Sequence, residues 1–441
     1  MLDILFVVLF FTFPFIVFKY MDTIGHNIFT ISVPVFLIIS MFVYAYSGLL
    51  PLYFGWDEYR YSMGVQDRAL VFQVLIFSII SIVGLLVGFT YAKVVLRMKR
   101  FQKFDYIRPI SKKELLVLMG LVAFCFFVLF VYLLKVPTIA LFVALSEDAF
   151  SDSHLARSLM GNDFDGKYHW YSLIMHELFN IVTFTLFSAF LLTKKKIIFF
   201  LFLVAFLGSS FAAVMATEKA PFAQILIGLL LVYGITLLKG KIPIKATIIL
   251  LVVLFSSLIA FYIFFMGSSD VFSAFASIFS RAFAGSIQPA YHYLEFFPYH
   301  QDFLMGRSFP NPGGILPIEP YRMTVEVMNW VNPNDKGIVG SMPTVFWAEA
   351  YANFGVLGVI LVPFLIGIVL YAVYYWVDKI ENTPLKIGFF VWLMQHFKNL
   401  SVTGFSGYLI DFYLIVLTFI LIMSIAFTNR FRIKYCKGKT N

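Results

Sequence analysis

Between Gly267 and Pro363 the chain gathers the side chains best suited to acid–base work and anion binding. Arg281, Arg307 and Arg322 lie in this stretch, and Lys219 precedes it. A guanidinium presents a planar fork of donors that matches phosphate oxygens, and clustered cations can stabilise a departing pyrophosphate without a metal. Each arginine taken singly is equally suited to bracing a loop. His292, Glu295, Glu319 and Glu349 are the candidates for a general base that takes the proton of an attacking hydroxyl. Partial burial raises a carboxylate's pKa toward that task.

Spacing links several of these groups. Asp270, Ser277, Arg281, Gln288, His292 and Glu295 follow one another at intervals of 7, 4, 7, 4 and 3 residues. At 3.6 residues per turn they share one stripe. This predicts an amphipathic helix, or two joined near Pro289, that either turns its polar edge to a cavity or lies on the bilayer. Asp163-Phe164-Asp165 matches a DxD pattern, a weak signal for a divalent ion. His154 and His169 lack the i, i+4 spacing of a zinc helix, and no phosphate-binding G-x-x-x-x-G-K-[ST] loop is present. No cofactor or metal is expected.

The elements that must position these groups are membrane spans. Of 441 residues, 61% are hydrophobic and 19% aromatic, while 13% are charged. Soluble domains carry about a quarter charged residues. Apolar runs long enough to cross a bilayer recur along the chain, so the fold expected is an all-α, polytopic integral membrane protein. About eleven spans are predicted: roughly 3–19, 28–54, 69–93, 114–134, 170–192, 197–216, 221–238, 246–266, 345–376, 387–405 and 408–428. Residues 1–266 form the bundle of spans 1–8, 267–344 a large extracytoplasmic loop with short amphipathic helices, and 345–441 spans 9–11 with a basic tail. The N-terminal MLDILFVVLFF lacks a basic segment and a cleavage site, and is read as a helix. Cys125 falls in a span and Cys436 in the tail, so no disulfide framework is expected.

The net charge of +9 resides in short loops and does not point to nucleic acid. The loop from Lys93 to Lys113 holds eight basic residues and one acid, Asp105. Lys194 to Lys196, the turn from Lys239 to Lys245 and the tail from Arg430 are basic too. With eleven spans all four fall on one side, which predicts an outside N-terminus and a cytoplasmic C-terminus. The loop 267–344 has the opposite bias, six acids against four bases. His176, Glu177, Glu218, Lys219, Glu349, His396, Lys398 and Asp411 then collect toward the outer ends of the spans. Ionisable groups at such depth are costly and face a wet cavity or one another, so a polar cavity open to the outside is expected. Gly84 and Gly88 form a GxxxG pair, read as close helix packing before a dimer interface.

Two stretches carry a resemblance. GRSFPNPGGILP (Gly306 to Pro317) and MPTVFWAEAYANFGVLGVILVPFLIG (Met342 to Gly367), with the aromatic-Gly-x-x-Gly run Phe354 to Gly358, resemble the O-antigen polymerase family of Wzy-type repeat-unit polymerases. ATEKAPFAQILIGLLL (Ala216 to Leu231) is similar to the family's small-residue turn, with Lys219 where arginine is commoner. The arginine-ten residues-glycine repeats of some members begin at none of Arg157, Arg281, Arg307 or Arg322. The resemblance implies a membrane-embedded, GT-C-like glycosyltransferase of the bacterial plasma membrane. It would join polyprenyl-pyrophosphate-linked oligosaccharide repeat units into surface polysaccharide, with membrane lipids and a chain-length regulator as partners. Lys219, Arg281, Arg307 and Arg322 would then neutralise the donor pyrophosphate. Tyr291, Tyr293, Trp330 and Trp347 would offer faces to sugar rings, or else serve as belt residues at the interface. A lipid-linked oligosaccharide flippase and an O-antigen ligase are the alternatives.

Overall fold

The computed structural model describes residues 1–98, 104–144, 156–161, 164, 166–218, 220–265, 270–311, 314–315, 317–333, 340–409 and 411–427. Among them the architecture is all-α, with no sheet. In chain order the first helices are α1 (Leu2–Thr23), α2 (Val33–Tyr44), α3 (Leu49–Phe54), α4 (Glu58–Ser62), α5 (Arg68–Val94) and α6 (Lys112–Lys135). Next come α7 (Tyr168–Thr193, with a π turn at Leu173–Leu178), α8 (Lys196–Val214), α9 (Ala220–Leu237) and α10 (Ile244–Phe265). Then follow α11 (Val271–Phe279), α12 (Gly285–Phe296), α13 (Met323–Val331), α14 (Phe346–Lys379), α15 (Pro384–Lys398) and α16 (Phe412–Phe427).

Nine helical stretches among the described residues are long and apolar enough to cross a membrane, so the chain is a polytopic membrane protein. Two other stretches read as spans are shorter. The apolar part of α10 is Ile244–Ile259, and α15 has 15 residues.

The chain divides into two compact units, neither of them one continuous stretch. The first comprises Met1–Lys99, Val253–Tyr375 and His396–Asp411. Within it, Pro14 interrupts α1 and cannot donate to the Phe10 carbonyl one turn back. The Tyr46 hydroxyl takes that place, donating to Phe10 O at 3.1 Å and Leu9 O at 3.2 Å. Asp67 starts α5 by accepting from the amides of Ala69 and Leu70. Gly84 and Gly88 of α5 lie against Pro363 to Ile368 of α14; a Cβ on Gly88 would stand 2.9 Å from the Gly367 Cα. The GxxxG pair thus lets two spans of one chain touch along their backbones.

The second unit comprises Arg100–Val252, Trp376–Gln395 and Phe412–Asn441. Ser111 and Glu114 form a capping box at the start of α6. Arg108 links Glu114 (2.7 Å) to Glu381 (3.4 Å). Lys386, almost fully buried, donates to the carbonyls of Asp378 and Ile380 and to Asn382 Oδ1. Three acceptors compensate the desolvation of that ammonium.

Candidate functional site

In the first unit the polar stripe is broken into two helices and a π turn. Asp270 and Ser273 make a capping box that starts α11. The chain then widens into a π turn at Ser280–Ala284 and narrows again as α12, with Pro289 inside it. The join is this π turn and not Pro289. Gly48, before α3, presses on it: a Cβ there would stand 2.6 Å from the Ala284 Cα. Beyond the turn, Gln288, His292 and Glu295 keep the expected i, i+4, i+7 face and bond in sequence. Gln288 Nε2 and His292 Nε2 are 3.2 Å apart, and His292 Nδ1 is 3.0 Å from Glu295 Oε2. The His292 side chain is 3% exposed and that of Glu295 30%.

Sequence reasoning missed the groups that complete this string. Arg60, on α4, donates through Nη1 to Gln288 Oε1. Asp57 accepts the Arg60 amide and the Ser280 hydroxyl. Burial lowers the Arg60 pKa; Asp57 and Tyr59 oppose that shift, and the like charge of Arg281 adds to it. The Arg60 guanidinium thus sits at the Gln288 end of the string. The Tyr291 hydroxyl donates to Gly64 O at 3.4 Å and accepts from the Asp67 amide at 3.3 Å. Burial, with the Glu295 charge adding and the Asp67 amide opposing, pushes this phenol up to about 12. The signal was present in Asp57-Glu58-Tyr59-Arg60, a charged run between two spans on the side expected to hold the large loop.

A second group is built around Glu349, which is 3% exposed. Its Oε1 accepts from the Ser308 hydroxyl at 2.6 Å and its Oε2 from the Ser406 amide at 3.0 Å. Asn353, one turn on, donates at 2.8 Å to both Ser308 Oγ and the Glu349 carbonyl, and its Oδ1 takes the Gly306 amide at 2.9 Å. The helix breaks just beyond. Gly355 has φ +60° and ψ −147°, a conformation that only glycine adopts readily. Gly358 then folds back so closely that a Cβ would collide with the Ala350 carbonyl. The broken end is closed by loop amides: Leu304 N donates to Ala352 O at 2.9 Å and Met305 N to Asn353 O at 3.1 Å. These are the roles of the two glycines in Phe354-Gly355-Val356-Leu357-Gly358.

The remaining candidates are more dispersed. Arg307 lies over the Tyr321 ring at 5.4 Å and donates through Nε to Glu319 O at 3.3 Å. Glu319 itself is exposed, as is Arg322 at the start of α13. Trp330 is half-buried, edge-on to His292 at 6.4 Å and beside His300 at 4.9 Å. Tyr291, Tyr293 and Trp347 are buried, Tyr293 bonded to Met342 O and Trp347 packed on Phe77. Trp330 is the one of the four aromatics with an accessible face. Of the other ionisable groups, His396 pairs with Asp411 in the first unit. In the second, Trp392 donates to Glu177, and Arg157 pairs with Glu218 at 2.8 Å. Lys219, Asp163, Asp165 and His154 lie outside the described residues. Comparison with family models, curated proteins and solved structures finds no match for this chain.

Proposed function

We propose that the chain is a membrane glycosyltransferase that polymerises polyprenyl-pyrophosphate-linked oligosaccharide repeat units on the outer side of the bacterial plasma membrane. In this reading it has about eleven spans and an outer loop between spans 8 and 9. The observation that carries the proposal is the partly exposed Glu295, joined through His292 and Gln288 to the Arg60 guanidinium. A base held in place by hydrogen bonds, in a stretch that also carries arginines, suits a reaction in which a hydroxyl attacks and a pyrophosphate leaves. The resemblance of Gly306 to Pro317 and Met342 to Gly367 supplies the substrate class.

The step balances simply. A sugar hydroxyl of the incoming unit attacks the anomeric carbon of the growing chain and gives its proton to Glu295. The bond from that carbon to the pyrophosphate oxygen breaks, and lipid pyrophosphate departs with the electron pair. Arg281, Arg307, Arg322 and Lys219 neutralise it. Of the four proton-acceptor candidates, Glu295 fits best. Glu349 is buried with both oxygens engaged, both His292 nitrogens are engaged, and the Glu319 side chain is solvated.

A flippase would use a discontinuous helix as its binding element, with open carbonyls at the break. At the break in α14 two carbonyls, those of Ala352 and Asn353, are already taken by Leu304 and Met305, which favours the enzyme. The test is the polysaccharide ladder of a gene-deletion strain complemented at matched protein level. Glu295→Gln should reduce the ladder to single units capped onto the final acceptor, and Glu349→Gln should retain more of it. Full-length ladders from Glu295→Gln and from alanine at each of the four cations would discard the proposal. So would lipid-linked units trapped on the cytoplasmic side of the deletion strain.

A further inference from the structure

The orientation of one amide decides the state of the imidazole beside it. Arginine offers only donors, so the Gln288 atom that Arg60 Nη1 faces must be the carbonyl Oε1. The Gln288 amino group therefore points the other way, at His292 Nε2, 3.2 Å off. An amino group cannot accept, so Nε2 must do so and carries no hydrogen. The imidazole proton then lies on Nδ1, where it is donated to Glu295 Oε2 at 3.0 Å. Ring nitrogens are interchangeable until a neighbour distinguishes them, and here the neighbour is set by a residue 228 positions away in sequence.

We infer that Arg60 is a positioning residue: through Gln288 it fixes the His292 tautomer, and through that tautomer it aims the Glu295 carboxylate. Two features hold Arg60 to the task. Asp57 anchors α4 to the π turn through Ser280. Gly285 leaves the space the guanidinium occupies, since a Cβ there would stand 2.7 Å from Arg60 Nη2. The other polar groups around the string are Arg281, the Tyr291 hydroxyl with the Asp67 amide behind it, and Trp330 from α13. None of these is bonded to either ring nitrogen of His292 in the contacts just described. What Glu295 does in the reaction rests on the polymerase reading; the hydrogen-bond order does not.

The experiment is nitrogen NMR of [15N]histidine-labelled full-length protein in lipid vesicles at pH 8, with His292 assigned among the seven histidines by its loss in His292→Gln. Wild type should show the Nδ1–H tautomer. Glu295→Gln removes the carboxylate's own preference, because a glutamine can accept from Nδ1–H or donate to bare Nδ1. That protein should still show Nδ1–H, held by Arg60 and Gln288. Adding Arg60→Leu, or separately Gln288→Leu, should bring in a clear Nε2–H signal. An Nε2–H tautomer in wild type, or no change on adding either leucine to Glu295→Gln, overturns the inference. Gly285→Ala, which displaces the guanidinium without removing it, should act as Arg60→Leu does. In ladder assays Arg60→Leu should lower polymer output roughly ten- to a hundred-fold, the scale of a misplaced catalytic group. Arg60→Leu with Gln288→Leu should be no worse than either alone, and a fully additive double loss would overturn the route through Gln288. If no variant changes the ladder while the tautomers move as expected, the polymerase reading fails and the relay stands.

Discussion

Glu295 and Glu349 are chemically the same group put to different ends by their neighbours. The carboxylate of Glu349 ties together Ser308, 41 residues before it, and Ser406, 57 residues after it. Glu349→Ala would leave the half-buried Ser308 hydroxyl and the buried Ser406 amide without their acceptor, at about 1–3 kcal/mol for the buried orphan. The melting temperature of the purified protein should fall by several degrees, and Glu349→Gln should recover part of the loss. Glu295→Gln should leave that temperature unchanged. Sequence marked both glutamates, because an ionisable group in or beside a span is conspicuous. Their division of labour was illegible, since it depends on partners that no helical period connects. Arg60 escaped notice for the same reason: a short charged run between spans reads as solvated until Gln288 is seen beside it.

At the scale of the element, apolar runs made the helices plain, and the i, i+4, i+7 face of α12 survives as read. The widening at Ser280–Ala284 left no mark in the hydropathy pattern, and neither did the close approach of the distant Gly48 to it. Nor did the pattern mark the break in α14, since Gly355 and Gly358 look like ordinary small residues on a packed span. The break makes a sharp prediction. Gly355→Ala must place a side chain at φ +60° and ψ −147°, within 3.0 Å of the Phe303 ring. The backbone strain alone is about 1–3 kcal/mol. Thermal unfolding should show a drop of that size for Gly355→Ala and a near-wild-type transition for alanine at Gly407, where nothing stands within 4 Å of the added carbon.

For the whole molecule, composition alone identified an all-α chain with many spans, because a bilayer admits few other solutions. That each compact unit collects distant segments, the first ending in His396–Asp411, was not legible, because pairing between remote stretches leaves no local period. The proposed orientation rests on charge: eight basic residues between Lys93 and Lys113 oppose the acid-biased stretch from 267 to 344, and labelling tests it. Single cysteines introduced at Arg281, Arg307 and Arg322 in a background lacking Cys125 and Cys436 should react with an impermeant maleimide added to intact cells. A cysteine at Lys112 should react only after the membrane is opened. Labelling in the reverse pattern would invert the topology and place the proposed chemistry in the wrong compartment.

The amides that close the broken end of α14 carry one more consequence. Leu304, Met305 and Gly306 lie in a connection where backbone protons ordinarily swap with deuterium in seconds, yet each is bonded to Ala352 or Asn353. Their exchange requires the half-helix itself to open, so it should be slowed to the pace of the neighbouring spans. Mass spectrometry after deuterium labelling should find a protected island around residue 305, and Asn353→Ala, which removes only the side-chain acceptor of the Gly306 amide, should release Gly306 while Leu304 and Met305 stay slow.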